Sequence, residues 1–210
     1  MINQPPAYTI HGVFPIPVYS TKRDSNSDST EEKEIEDIIE EGMINNGNRD
    51  YSNNSYIFNT KLKKIKEFCE QHIKIYVKEI INPKEGLDFY ITQSWLNLTK
   101  PGGSHQMHAH ANSIISGAFY IQTDVGQTIS CYNTHKNYQP AIEFDETGTL
   151  WNSNISNFNV SNNQLLLFPS WLVHGVAPNE KQTKDVISLS FNTFIRGNLG
   201  KRENLNQLIL

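Results

Sequence analysis

The chain has 210 residues, with 18 Lys and Arg against 22 Asp and Glu and a formal net charge of −4. That length suits one domain with a proper core, and the acidic balance excludes a protein held to nucleic acid by phosphate neutralisation. No apolar run reaches the roughly 18 residues of a membrane span, and Met1-Ile2-Asn3-Gln4-Pro5-Pro6 has neither the basic nor the apolar region of a signal peptide.

Residues 1–86 read as an N-terminal strand, a loop and helices. Thr21 to Thr30 is a polar, disorder-like loop. Thr30 is then placed to cap a helix over Glu31–Glu41, with Ile35, Ile38 and Ile39 as one apolar stripe. A second helix is expected from about Thr60 to Ile81, burying Leu62, Ile65, Cys69, Tyr76 and Ile80, and stopped by Asn82-Pro83.

From Leu87 the texture changes to short strands. Asp88–Leu98 alternates Phe89, Ile91, Gln93 and Trp95 with Tyr90, Thr92, Ser94 and Leu96. Ser113–Thr123, Thr128–Tyr132, Asn157–Val160, Gln164–Phe168 and Val186–Ile195 follow, separated by turn residues such as Pro101-Gly102-Gly103 and Asp124-Val125-Gly126. No helical pattern interleaves them, so this part is read as an antiparallel sandwich or barrel with helices outside it. Gly117 inside a strand predicts a bulge or a close backbone approach.

Three of the seven histidines crowd into His105-Gln106-Met107-His108-Ala109-His110, and a fourth, His174, follows Phe168-Pro169-Ser170-Trp171-Leu172-Val173. In an extended segment, positions i and i+2 share a face, so His108 and His110 can converge on one metal, with His174 arriving from a neighbouring strand. Three protein ligands with open positions suit a catalytic metal, although the spacing alone also fits a pair of surface histidines. His11, His72, His105 and His135 are read as structural or surface residues. Trp95, Phe119, Phe168, Trp171 and Phe191 are read as core. Asn97, Tyr120 and Asn192 stand out as polar groups on strands that invite a functional reason. The two cysteines, Cys69 and Cys131, lie far apart and are expected as reduced thiols of a cytoplasmic protein.

The run Gln93-Ser94-Trp95-Leu96-Asn97, Pro101-Gly102-Gly103, His108-Ala109-His110 and Ser116-Gly117-Ala118-Phe119-Tyr120 resembles a family of 2-oxoglutarate/Fe(II)-dependent oxygenases frequent in cyanophages and marine bacteria. Leu167-Phe168-Pro169-Ser170-Trp171-Leu172-Val173-His174-Gly175-Val176, Ile187-Ser188-Leu189-Ser190-Phe191-Asn192 and the opening Phe14-Pro15-Ile16-Pro17-Val18-Tyr19 continue the resemblance in order. It implies a double-stranded β-helix, or jelly roll, with two or so N-terminal helices packed outside. In these terms the chain is a single domain over residues 1–210, with residues 87–198 as the jelly-roll core and 199–210 as a tail. It also implies Fe(II) as cofactor, 2-oxoglutarate as small-molecule cosubstrate, release of succinate and CO2, and hydroxylation of a substrate. No nucleic acid or membrane enters this reading, and homo-oligomerisation stays open.

The resemblance matches His108 and His174 to the first and distal ligands. His110 stands where the family's superfamily carries a carboxylate, and neutral imidazole still binds Fe(II). Asn112 and His105 are the fallback ligands. Val186 stands where the family commonly has the Arg that pairs with the far carboxylate of 2-oxoglutarate. That leaves Lys184 and Arg196 as candidate anchors, Arg196 favoured because strand parity puts it on the face of Ser188, Ser190 and Asn192. Ser188, Asn97 and Tyr120 complete the candidate cosubstrate pocket. The segment from Lys136 to Ser156 is a candidate lid. The alternative is a jelly-roll binding or structural protein, such as a phage-particle component, whose three-histidine site is vestigial or works without 2-oxoglutarate.

Overall fold

The computed structural model describes residues 9–134, 142–143, 149 and 151–210. The expected lid between Lys136 and Ser156 falls largely outside them, as does His135.

Two sheets of antiparallel strand pairs face each other. The larger has the order β1-β9-β6-β11-β4-β3-β2, with β12 pairing β11. Its strands are β1 (Tyr19–Lys22), β2 (Met43–Asn45), β3 (Asp50–Ser52), β4 (Leu87–Thr99), β6 (Ile115–Gln122), β9 (Gln164–Pro169), β11 (Val186–Leu199) and β12 (Leu208–Ile209). The smaller has the order β5-β10-β7-β8, from His105–His108, His174–Val176, Thr128–Tyr132 and Ile155–Asn159 respectively. The N-terminal part is thus woven into the large sheet through β1, β2 and β3, and the C-terminal tail adds β12.

Helices α1 (Ser29–Glu40) and α2 (Lys63–Tyr76) cover the outer face of the large sheet. The cap of α1 is Asp28 rather than Thr30. Asp28 Oδ1 accepts from Glu31 N–H, and the Glu31 carboxylate accepts from Asp28 N–H, a reciprocal pair that outcompetes a later start. Helix α2 starts after Leu62, which sits at φ 56°, and passes at Val77–Ile81 into a wider π turn. The extra residue in that turn rotates Ile80 out of the buried stripe, so it is 39% exposed where burial was expected. Ile65, Cys69, Ile73 and Tyr76 remain on the buried face.

Alternation along the strands separates two cores. Phe119, Leu165, Leu167, Leu189 and Phe191 point outward to the helices. Ala118, Tyr120, Leu166 and Phe168 point inward and pack with Ile129, Cys131 and Leu172 between the sheets. Gly117 is opposite Phe191, and a Cβ there would lie 2.1 Å from the Phe191 ring, so the glycine is what admits that ring to the outer core. Trp171, expected in the core, is 57% exposed. Both cysteines are free and buried. No helix among the described residues is long and apolar enough to cross a membrane.

Candidate metal centre and cosubstrate pocket

His108 closes β5 and is paired with His174 at the start of β10. The extended segment ends there, two residues short of the expected reach to His110. His110 lies beyond it, held by its own N–H donating to Ser170 O at 2.9 Å. The ligand atoms of His108, His110 and His174 all lie within 4.8 Å of one another.

The outer nitrogens decide what the inner ones can do. Nδ1–H of His108 donates to Gln106 O at 2.8 Å, and Nδ1–H of His174 donates to Leu172 O at 2.9 Å. Nδ1–H of His110 donates to Asn192 Oδ1 at 2.6 Å. A carbonyl partner fixes the proton on Nδ1 and leaves a lone pair on Nε2. Burial pushes the His174 imidazole down to about 4, further favoured by His108 and His110 nearby, and lowers that of His110. Nε2 of His110 and Nε2 of His174 are 3.3 Å apart. Two lone pairs facing at that distance repel unless a cation stands between them. Two imidazoles bound at right angles with metal–nitrogen bonds of about 2.1 Å would sit about 3.0 Å apart, so the donor set fits a divalent transition metal such as Fe(II).

Asn192 lies beside an irregularity. Between the pairs Phe191↔Ser94 and Thr193↔Ile91, Asn192 alone faces Thr92 and Gln93, a bulge on β4 beside it, while the alternation of β11 turns its carboxamide inward to His110. Its Oδ1 also accepts from Ser116 Oγ at 3.0 Å, and Ser116 Oγ is 2.8 Å from Ser170 Oγ. Trp95, expected as core, instead stacks on His110 with ring centroids 5.9 Å apart, and Phe168 lies against His174 at 4.6 Å.

The pocket behind the histidines is lined by Arg49, Trp95, Asn97's neighbour Thr99, Tyr120, Gln127 and Ser188, among others, and no Asp or Glu among the described residues lines it. Of the expected cosubstrate residues, Tyr120 and Ser188 lie there. Asn97 is fully buried behind it, donating from Nδ2 to Ser190 Oγ at 2.9 Å. Lys184 is exposed in the loop before β11, and its N–H donates to Asp124 Oδ2. Arg196 is also outside: its guanidinium lies 3.8 Å over the Tyr90 ring and 3.9 Å from Asp88, with the side chain 62% exposed. Parity gave it the correct face, but it stands eight residues beyond Ser188, roughly 26 Å along an extended strand. The fallback ligands lie elsewhere too. Asn112 is exposed at φ 53°. The His105 ring is engaged by Thr99 Oγ1 at 3.2 Å and by Arg49 at 3.1 Å.

Arg49, which the sequence reading passed over, comes from the turn of the β2–β3 hairpin. Asn46-Gly47-Asn48 between Ile44 and Tyr51 is a hairpin signal of the Asn-Gly kind, but nothing local says that this turn reaches the histidines. Gly103 lets it do so: a Cβ there would lie 2.6 Å from Asn48 O, and Ser104 N–H donates to that same oxygen.

The fold and site together define a jelly-roll protein with three histidines clustered on its inner face in a geometry that fits a metal ion. Residues 93–192, which carry all three histidines, match the family described as "Putative 2OG-Fe(II) oxygenase". This segment, just under half of the chain, is similar to the 2-oxoglutarate/Fe(II)-dependent oxygenases, enzymes whose cofactor is Fe(II) and whose cosubstrate is 2-oxoglutarate. Solved structures share the fold. A prolyl-4-hydroxylase from Pseudomonas putida has a TM-score of 0.56 at 12% identity, covering 84% of this chain and 92% of its own. A prolyl hydroxylase from Trichoplax adhaerens has 0.57 at 11%, covering 84% and 83%. HygX from Streptomyces hygroscopicus, bound to nickel and 2-oxoglutarate, has 0.56 at 10%, covering 85% and 82%. No curated protein matches the sequence.

Proposed function

We propose that this oxygenase hydroxylates a C–H bond of its substrate with His108, His110 and His174 as the complete set of protein ligands to iron. The observation that carries the reading is the commitment of all three Nδ1–H groups to carbonyl oxygens, which turns three Nε2 lone pairs toward one point. When bound there, Fe(II) would supply O2-dependent oxidation: one oxygen atom of O2 goes into succinate as 2-oxoglutarate loses CO2, and the other goes into the substrate C–H bond as a hydroxyl. The chain's own part is to hold the imidazoles neutral and fixed, leaving the opposite metal positions to ligands. Trp95 and Phe168 exclude water from the flanks of His110 and His174. Tyr120 and Ser188 supply hydroxyl groups to the pocket wall, and Asn97 braces it from behind. Imidazole in place of a carboxylate leaves the site one unit more positive, which favours a dianionic cosubstrate.

This reading takes residues 87–198 as the jelly-roll core of a one-domain cytoplasmic enzyme. The two buried, reduced thiols support it, with burial pushing Cys131 up to about 11.

Metal analysis of variants tests the ligand set. His108→Ala and His174→Ala should each abolish stoichiometric Fe(II) binding, whereas His72→Ala, whose Nδ1 is engaged by Tyr19 at 2.7 Å on the outer face, should bind as wild type does. His110→Asp should retain iron and succinate formation. A fully loaded His174→Ala protein would falsify the site.

A further inference from the structure

A pocket built for a dianion needs a cation, and neither Lys184 nor Arg196 reaches it. We infer that Arg49, delivered by the β2–β3 hairpin, takes over the pairing with the remote carboxylate of 2-oxoglutarate; this rests on the function proposed above.

Three observations support the assignment. First, Arg49 is the one Lys or Arg among the described residues that line the pocket. It has no carboxylate partner among the described residues. Its Nη1 donates to Asn97 Oδ1 at 2.8 Å and lies 3.1 Å from His105 Nδ1, and no hydrogen bond among the described residues uses Nε or Nη2. One arm of the fork is thus anchored, and two donors are left for a bidentate acceptor. A half-buried guanidinium with no counter-charge is costly, and burial lowers its proton affinity.

Second, the spacing fits. His174 pairs with His108 at the metal end of β10, and Val176 pairs with His105, the residue Arg49 touches. Two residues of strand, roughly 6–7 Å, separate those levels, and a five-carbon diacid chelating the metal at one end spans such a distance. Third, the neighbourhood is prepared for an acceptor. Gln127 is 3% exposed, lines the same pocket, and its Oε1 has no hydrogen-bond partner. Half a turn of that amide presents N–H donors instead. Ser188 is opposite Asn97 across β11 and β4, so its hydroxyl stands beside the residue that holds Arg49.

The cation therefore reaches the cosubstrate from a different element than β11, at the level where Val186 leaves β11 apolar. The hairpin turn that carries it is closed by Asn46 N–H donating to Arg49 O at 2.9 Å.

Calorimetric titration of the Ni(II)-loaded full chain tests this without turnover. Two probes are compared: 2-oxoglutarate, and 2-oxopentanoate, which keeps the chelating end and lacks the remote carboxylate. Arg49→Ala should weaken 2-oxoglutarate by at least about 30-fold, the low end for truncating one partner of a buried charge pair. It should leave Ni(II) loading and 2-oxopentanoate affinity near wild type, so that discrimination between the two acids collapses. Arg49→Lys should retain part of the discrimination. Lys184→Ala and Arg196→Ala should retain all of it. An Arg49→Ala protein that still prefers 2-oxoglutarate as wild type does overturns the inference and leaves the proposed function standing. A wild-type protein that loads Ni(II) but binds neither acid overturns the 2-oxoglutarate reading itself. Should Arg49→Ala fail to fold, Arg49→Gln gives the same ratio, with unchanged discrimination counting against the inference.

Discussion

The two faces of the large sheet treat charge in opposite ways. On the outer face, under the helices, Arg23 is 9% exposed, lies over the Phe119 ring, and donates to both oxygens of Glu31 at 2.7 and 3.0 Å. On the inner face, Arg49 and the imidazoles of His105, His108, His110 and His174 share a pocket with no acidic side chain among its described lining residues. Both faces bury ionisable groups, and the penalty for that is similar in kind. The outer face answers each charge from within the chain. The inner face leaves imidazole nitrogens and a guanidinium without a carboxylate partner among the described residues, the gap that the function proposed above fills with a metal cation and an acid. A closed ion pair is fold; an open set of complementary donors is a binding site.

The sharpest way to break the comparison is to open the closed pair. Glu31→Ala leaves the Arg23 guanidinium buried without its counter-charge and also removes the acceptor for Asp28 N–H at the start of α1. The expected loss is about 3–5 kcal/mol of stability, read from urea unfolding at neutral pH. Arg49→Ala, which breaks no ion pair, should cost far less on the same assay. Equal losses would mean that Arg49 is as structural as Arg23 and that the two faces do not differ in this respect.

A smaller effect is expected at Asn192, where the two faces meet through the bulge. Its Oδ1 is what holds the proton of His110 on Nδ1. Asn192→Ala should weaken Ni(II) or Fe(II) binding by about 10–100-fold, as loss of a ligand's supporting hydrogen bond does, measured by competition with a chromophoric chelator. Asn192→Asp should retain tight binding, because a carboxylate accepts the same hydrogen. Metal affinity unchanged in Asn192→Ala would show that Ser170, through the His110 backbone, is sufficient to place the ring.

What the sequence made legible was local. The crowding of His108 and His110, the strand runs and the helix stripes are all short-range patterns, and Asn192 stood out because Asn fits strands poorly. The rest depended on register. Arg49 is 56 residues from His105 in the chain, and its role follows from a hairpin turn docking on Gly103, which no periodicity records. The π turn that exposes Ile80 and the β4 bulge opposite Asn192 are single-residue insertions into otherwise regular elements, and a pattern of period 3.6 or 2 does not reveal where such an insertion falls.

The smallest predicted effect separates face from position. Arg196 shares by parity the inward face of Ser188 and Ser190, and parity alone would make it a pocket residue. However, Arg196 is paired with Asp88 near the start of β4, whereas the pocket lies where Val186 and Ser188 meet Thr99 and Asn97 at the other end of that strand. At the Arg196 end the Arg196 and Asp88 side chains are exposed, and Arg196 covers Tyr90 instead of a ligand. An exposed cation over an aromatic ring contributes about 0.5–1 kcal/mol, and an ion pair at 3.9 Å between exposed groups adds little. Arg196→Ala should therefore lower stability by about 0.5–1 kcal/mol on thermal unfolding, with 2-oxoglutarate and metal affinity both unchanged. A loss of cosubstrate affinity in this variant would place the pocket at the wrong end of β11 and, with it, remove the reason for assigning the carboxylate to Arg49.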